Sequence, residues 1–173
     1  MLLGIDLGGT KIEGIVLKSR ENPEEVIRHR VNTEEEKGYS QVISNIKSLV
    51  DYIESNINHK FSKLGIGTPG TINPESGLLK NSNSQCLNGM PIQKDLSKTL
   101  DKTILIQNDA NCFALAETLL GSVKDQHPNA KNVFGIIMGT GVGGGVIIDG
   151  KTVYGSQGIG GEWGHTIVTD SGD

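Results

Sequence analysis

Asp6-Leu7-Gly8-Gly9-Thr10-Lys11 is the stretch that decides the fold. Residues 2–7 before the glycines read as a strand, and residues 11–18 after them read as its return. A chain that opens with so tight a hairpin is not a purely parallel doubly wound sheet. The turn is also chemically loaded. Two glycines and a threonine bring backbone N–H groups and a hydroxyl into one small space with no Cβ in the way, which suits a phosphate. Asp6, at the strand end, is placed to hold Mg²⁺ or its water shell against phosphate oxygens.

Working outward, a third strand is expected at about 25–32, and Glu34-Glu35-Glu36 reads as a solvated loop or helix start. Tyr39, Val42, Ile43, Ile46, Leu49, Val50, Ile53 and Ile57 recur at helical spacing and predict an amphipathic helix over 39–58. A strand over 62–68 ends at the breaker pair Pro69-Gly70. Pro91 opens a short helix over 91–100. A strand over 103–107 precedes a helix over 109–121 that Gly121 stops. The polar stretch 125–131 reads as a surface loop, and strands over 132–138 and 142–149 flank a glycine turn. Hairpins thus mix with βαβ crossovers.

Composition narrows the function classes. The 173 residues carry a formal net charge of −4, which argues against a partner held by phosphate neutralisation, so no nucleic acid is expected. Aromatic residues, at 4%, are too few for a base-stacking platform. No run of 18 apolar residues exists and the start resembles no signal peptide, so no membrane partner and a cytoplasmic location are expected. Cys86 and Cys112 form neither a disulfide framework nor a CxxC pair.

Three further motifs carry chemistry. Gly139-Thr140-Gly141-Val142-Gly143-Gly144-Gly145 is a second glycine turn of donors between strands. It matches G-x-G-x-x-G by letter, as does Gly65-Ile66-Gly67-Thr68-Pro69-Gly70, but neither runs into the helix that a dinucleotide site needs, and no P-loop pattern exists. Asn108-Asp109-Ala110-Asn111-Cys112-Phe113-Ala114-Leu115-Ala116-Glu117 sits where a strand gives way to a helix. An aspartate there serves as an N-cap, or as the group that takes the proton of an attacking hydroxyl. Gly160-Gly161-Glu162-Trp163-Gly164-His165 sets a Glu and a His three apart on a glycine-framed loop, where both reach one polyol or the His binds a metal.

In this order the four motifs resemble the ROK family of sugar kinases along essentially the whole chain, most closely the bacterial group acting on N-acetylglucosamine. The resemblance implies an actin/hexokinase-like (ribonuclease H-like) α/β fold, a mixed sheet with flanking helices, a first actin-like domain over 1–121 and the truncated start of a second over 122–173. It implies ATP phosphates held at Gly4, Ile5, Asp6, Leu7, Gly8, Gly9, Thr10 and Lys11, and at Gly139, Thr140, Gly141, Val142, Gly143, Gly144, Gly145 and Val146. It assigns Asp109 as the catalytic base. It gives the sugar Asn83, Asn108, Asp109, Gly141, Glu162 and His165, with His165 also a ligand of structural zinc and Asp6 serving Mg²⁺ through water. The partners it implies are ATP and a small sugar, phosphorylated at its 6-hydroxyl, with a possible homodimer. Glucose, fructose, mannose and N-acetylmannosamine stay open as substrates. Relatives in the family follow E-x-G-H with a Cys-rich zinc segment, another sugar-binding Glu and a further α/β half, so these 173 residues are expected to be a fragment. A sugar-responsive repressor would need a helix-turn-helix ahead of the first strand, and an actin-like chaperone has no use for N-D-A-N or E-W-G-H.

Overall fold

The computed structural model describes residues 1–138 and 141–164, in two compact units over Met1–Asp109 and Ala110–Asp173. The first unit runs β1 (Leu2–Leu7), β2 (Lys11–Leu17), β3 (Glu25–Asn32), α1 (Tyr39–Ile57), β4 (Lys63–Thr68), β5 (Thr71–Ile72), β6 (Leu79–Lys80), α2 (Ile92–Leu100) and β7 (Thr103–Asn108). Five strands form one sheet in the order β3-β2-β1-β4-β7. The pairs β1–β2 and β2–β3 are antiparallel, whereas β1–β4 and β4–β7 are parallel, so the sheet is mixed as expected.

Alternation along β1 explains how the sheet is covered. Leu3, Ile5 and Leu7 point into a core that also holds Ile12, Val16, Leu64, Ile66 and Ile104. The stripe of α1 fills that core with Val42, Ile46, Leu49, Val50 and Ile53, and α2 adds Ile92 and Leu96. The other face presents a row that the register sets across all five strands: Arg30, Glu13, Asp6, Gly67 and Gln107. Asp6 is therefore on the side away from the core, at the carboxyl ends of the parallel strands.

Glu54 is a charged residue inside the apolar helix stripe, only 2% exposed. It accepts from Lys102 and Lys60, each at 2.9 Å, and from the amide of Phe61 at 2.8 Å. Burial works to raise its pKa, but the two lysines and the amide outweigh it and hold the carboxyl below its ordinary value. A lowered folded pKa adds stability above the unfolded value, and this is lost as pH falls through the carboxylate range. Lys102→Ala leaves Glu54 with Lys60 and the Phe61 amide alone and is expected to cost about 1.5–3 kcal/mol at neutral pH. Urea denaturation should show that deficit shrinking as Glu54 protonates in acid.

The second unit contains α3 (Asp109–Leu119, its first residue belonging to the first unit), α4 (Ser122–Gln126), β8 (Asn132–Met138), β9 (Val142–Ile148) and β10 (Lys151–Thr152). Its sheet has the order β10-β9-β8 and is antiparallel throughout. The division falls ahead of the Gly121 boundary read from the sequence because α3 packs on this sheet: Ala110 lies against Gly143 and Gly145, and Ala114 against Gly135. The loop expected over 125–131 begins later than read, since Ser122–Gln126 form a short helix. The amide and hydroxyl of Ser122 donate to Glu117 at 2.9 and 2.6 Å, which seats that turn. Among the described residues no helix is long and apolar enough to cross a membrane.

Candidate active site

The phosphate-type turn between β1 and β2 is closed by the Gly8 amide donating to the Lys11 carbonyl at 3.0 Å. Thr33, fully buried just past β3, braces it from one side. Its hydroxyl donates to the Gly8 carbonyl at 2.6 Å, and its amide to the Thr10 carbonyl at 3.0 Å. In a trans peptide the C=O and the next N–H point opposite ways. With the carbonyls of Gly8 and Thr10 turned to Thr33, the amides of Gly9 and Lys11 face away from it. A lone threonine so far along the chain carries no sequence signal for this role.

Gly9 lies against a second segment. A Cβ there would sit 3.5 Å from the Ser84 hydroxyl and 3.8 Å from a Glu35 carboxylate oxygen. Ser82 and Ser84 are buried, and the Asn88 side chain holds the segment through both backbone groups of Ser82, accepting from its amide at 2.9 Å and donating to its carbonyl at 2.8 Å. Asn83 is exposed between the two serines. The structure thus brings the expected sugar-contact segment to the turn, and adds Ser84 and Glu35 beside Gly9.

Asn108 ends β7 and Asp109 begins α3. Asn108 is buried, its amide side chain donating to the Gly70 carbonyl at 3.2 Å. Gly70 has φ +83° and no room for a side chain, since a Cβ would meet the Lys80 carbonyl at 2.4 Å. That close approach explains why the Pro69-Gly70 breaker is followed by the β5–β6 hairpin, which the sequence pattern did not reveal. Asp6 is open to solvent, yet the protein mass around it and then the negative charge of Asp109 push its pKa up, with Glu13 adding to the rise and Arg30 opposing it. A divalent cation held between Asp6 and Asp109 would relieve the repulsion of these two carboxylates at the ends of β1 and β7. Ligands gather at such carboxyl ends of parallel strands in α/β sheets.

In the second unit the glycines of the 139–146 motif do different jobs. A Cβ at Gly145 would lie 2.5 Å from the Ala110 carbonyl oxygen, and one at Gly143 would lie 3.3 Å from the Ala110 Cβ, so these two admit α3. A Cβ at Gly144 would meet the Gly161 carbonyl at 2.5 Å and the Trp163 ring at 2.8 Å, so this one admits the E-W-G-H loop. Gly141 has open space where its side chain would be. Among the described residues of this motif, the space beside Gly141 is open, and the space beside Gly143, Gly144 and Gly145 is filled. Gly139, Thr140 and His165 lie outside the described residues. Glu162 is exposed. The indole N–H of Trp163 is buried without an acceptor among the described residues.

A model of the ROK family matches residues 2–173. N-acetyl-D-glucosamine kinases of Aliivibrio fischeri and Mannheimia succiniciproducens are 39% and 40% identical over 166 and 165 residues, 96% and 95% of this chain. The chain spans about half the length of these curated relatives, 52% of each. Among solved structures, a ROK hexokinase from Thermus thermophilus aligns with a TM-score of 0.82 at 29% identity, covering 98% of this chain and 54% of that one. A ROK glucokinase from Streptomyces griseus, solved with glucose and AMPPNP, aligns with a TM-score of 0.79 at 26% identity, covering 97% and 51%. The actin/hexokinase-like fold expected from the motifs is shared with these neighbours.

Proposed function

The chain belongs to the ROK family, and we propose that the protein it forms part of transfers the γ-phosphoryl group of ATP to the 6-hydroxyl of N-acetyl-D-glucosamine. The observation that carries this reading is the placement of Asp6 and Asp109 at the ends of β1 and β7, close enough for one charge to perturb the other. The relatives named N-acetyl-D-glucosamine kinase support the choice of sugar, and the glucokinase bound to AMPPNP supports ATP as donor.

In this reading Asp109 accepts the proton of the 6-hydroxyl as that oxygen attacks the γ-phosphorus. The bond from the γ-phosphorus to its bridging oxygen breaks, and ADP leaves with the electron pair. Asn108 and Asn83 donate to sugar hydroxyls, and Glu162 and His165 are assigned to the same substrate. The outward amides of Gly9 and Lys11, with the hydroxyl of Thr10, take phosphate oxygens, as does the backbone around Gly141. Asp6 would hold Mg²⁺ through water, and the ion would supply neutralisation of the charge on those oxygens. The described residues hold no group of three or more His, Cys, Asp or Glu side chains able to bind a metal. Zinc ligation by His165, which lies outside the described residues, rests on the family resemblance.

A coupled ADP assay of the full-length protein over a sugar panel tests the substrate. N-acetyl-D-glucosamine should give the highest kcat/KM. A higher value for glucose would move the assignment to glucokinase, and sugar-independent ADP release would remove the kinase reading.

A further inference from the structure

The loop that carries Glu162 lies directly on the glycine strand. A Cβ at Gly164 would sit 2.2 Å from the Val142 carbonyl oxygen, and one at Gly161 would sit 2.8 Å from that of Gly144. Together with Gly144, these glycines let two backbones touch where no other residue fits. Trp163 closes the contact from above. Its Cδ1 covers the missing side chain of Gly144, and its ring meets Phe134 of β8 edge-on, with centroids 6.3 Å apart and planes at 61°. Val142, under Gly164, is the first residue of β9 and follows Gly141, the open end of the phosphate-type motif.

Resting on the sugar-kinase reading, we propose that Trp163 is a positioning residue that couples the sugar-contact loop to the phosphate strand, so that sugar binding tightens nucleotide binding and the reverse. It acts through Glu162, its neighbour in the chain, and through β9 beneath it. Close-packed backbones cannot shift independently, so a displacement of Glu162 as it takes a sugar hydroxyl is carried to Val142 and Gly141. Linkage makes the effect equal in both directions.

The test is calorimetric titration of the full-length protein with a non-hydrolysable ATP analogue, with and without saturating N-acetyl-D-glucosamine. The wild type should bind the analogue about tenfold more tightly with sugar present, within the usual range for coupled sites. Trp163→Ala should abolish that enhancement while still binding each ligand alone. Trp163→Phe, which keeps a ring over Gly144 and drops the indole N–H, should restore most of it. Where Trp163→Ala does not fold, Phe134→Ala, which removes the other ring, should reduce the enhancement instead. Full enhancement in Trp163→Ala or Phe134→Ala would overturn the proposal, as would wild-type binding of both ligands with no enhancement. In those cases the kinase reading stands. A wild type that binds neither ligand overturns both.

Discussion

Asp109→Asn is expected to lower kcat by about 10²–10⁴-fold, the usual contribution of a positioned general base. The reason is local. The substitution keeps the size and planarity of the side chain at the β7–α3 junction, where the neighbouring Asn108 is anchored to Gly70 at 3.2 Å. What it removes is the basic carboxylate that accepts the hydroxyl proton; the amide oxygen accepts a hydrogen bond but does not take up the proton. Sugar affinity should therefore survive, and the loss should fall on kcat rather than on KM. The change also removes the charge that, after burial, helps push up the pKa of Asp6, so that pKa should move down in the variant. Nucleotide and Mg²⁺ binding should hold or improve. Kinetics with a separate sugar-binding titration check this. Turnover within tenfold of wild type would sink the base assignment.

Gly145→Val is expected to prevent the second unit from folding, and Gly145→Ala to destabilise it by about 1–3 kcal/mol or more, as overpacking does. The atoms in the way are backbone: the Ala110 carbonyl oxygen at 2.5 Å, and the Ala110 carbonyl carbon and Asn111 Cα, each at 2.9 Å. No rotamer change relieves them, so β9 or α3 must move. Gly141→Ala is the contrast. Its added methyl meets open space, so the thermal midpoint should stay put while kcat/KM for ATP falls. A phosphate-only role for all the glycines of the motif predicts the opposite for Gly145: normal stability with impaired nucleotide handling. Thermal unfolding beside ATP kinetics separates the two.

That contrast shows what the sequence can and cannot tell. The α1 stripe was legible because eight apolar residues at one spacing leave a helix little alternative, and the core of the first unit follows from it. The β1–β2 hairpin was legible because Gly8-Gly9 punctuates two apolar runs. The placement of Asn108 and Asp109 at a strand-to-helix junction followed from the pattern on either side. The division of labour among Gly141, Gly143, Gly144 and Gly145 was not legible, since a glycine kept for a phosphate and one kept for a helix are the same letter. Thr33 was hidden because its two bonds reach back to Gly8 and Thr10 through tertiary folding alone. Glu54 was hidden for a similar reason: its neutralising lysines lie beyond the helix, at 60 and 102. Two-residue strands such as β5 and β6 are too short to show any period.

The most direct test of the central claim is to identify the product. The full-length protein is incubated with ATP, Mg²⁺ and N-acetyl-D-glucosamine, and phosphorus–proton correlation NMR then locates the new phosphate ester while ADP is quantified. A phosphate coupled to the C6 protons, formed one-for-one with ADP, is the expected product. A phosphate on the anomeric oxygen, or ADP formed without any sugar phosphate, would contradict that claim.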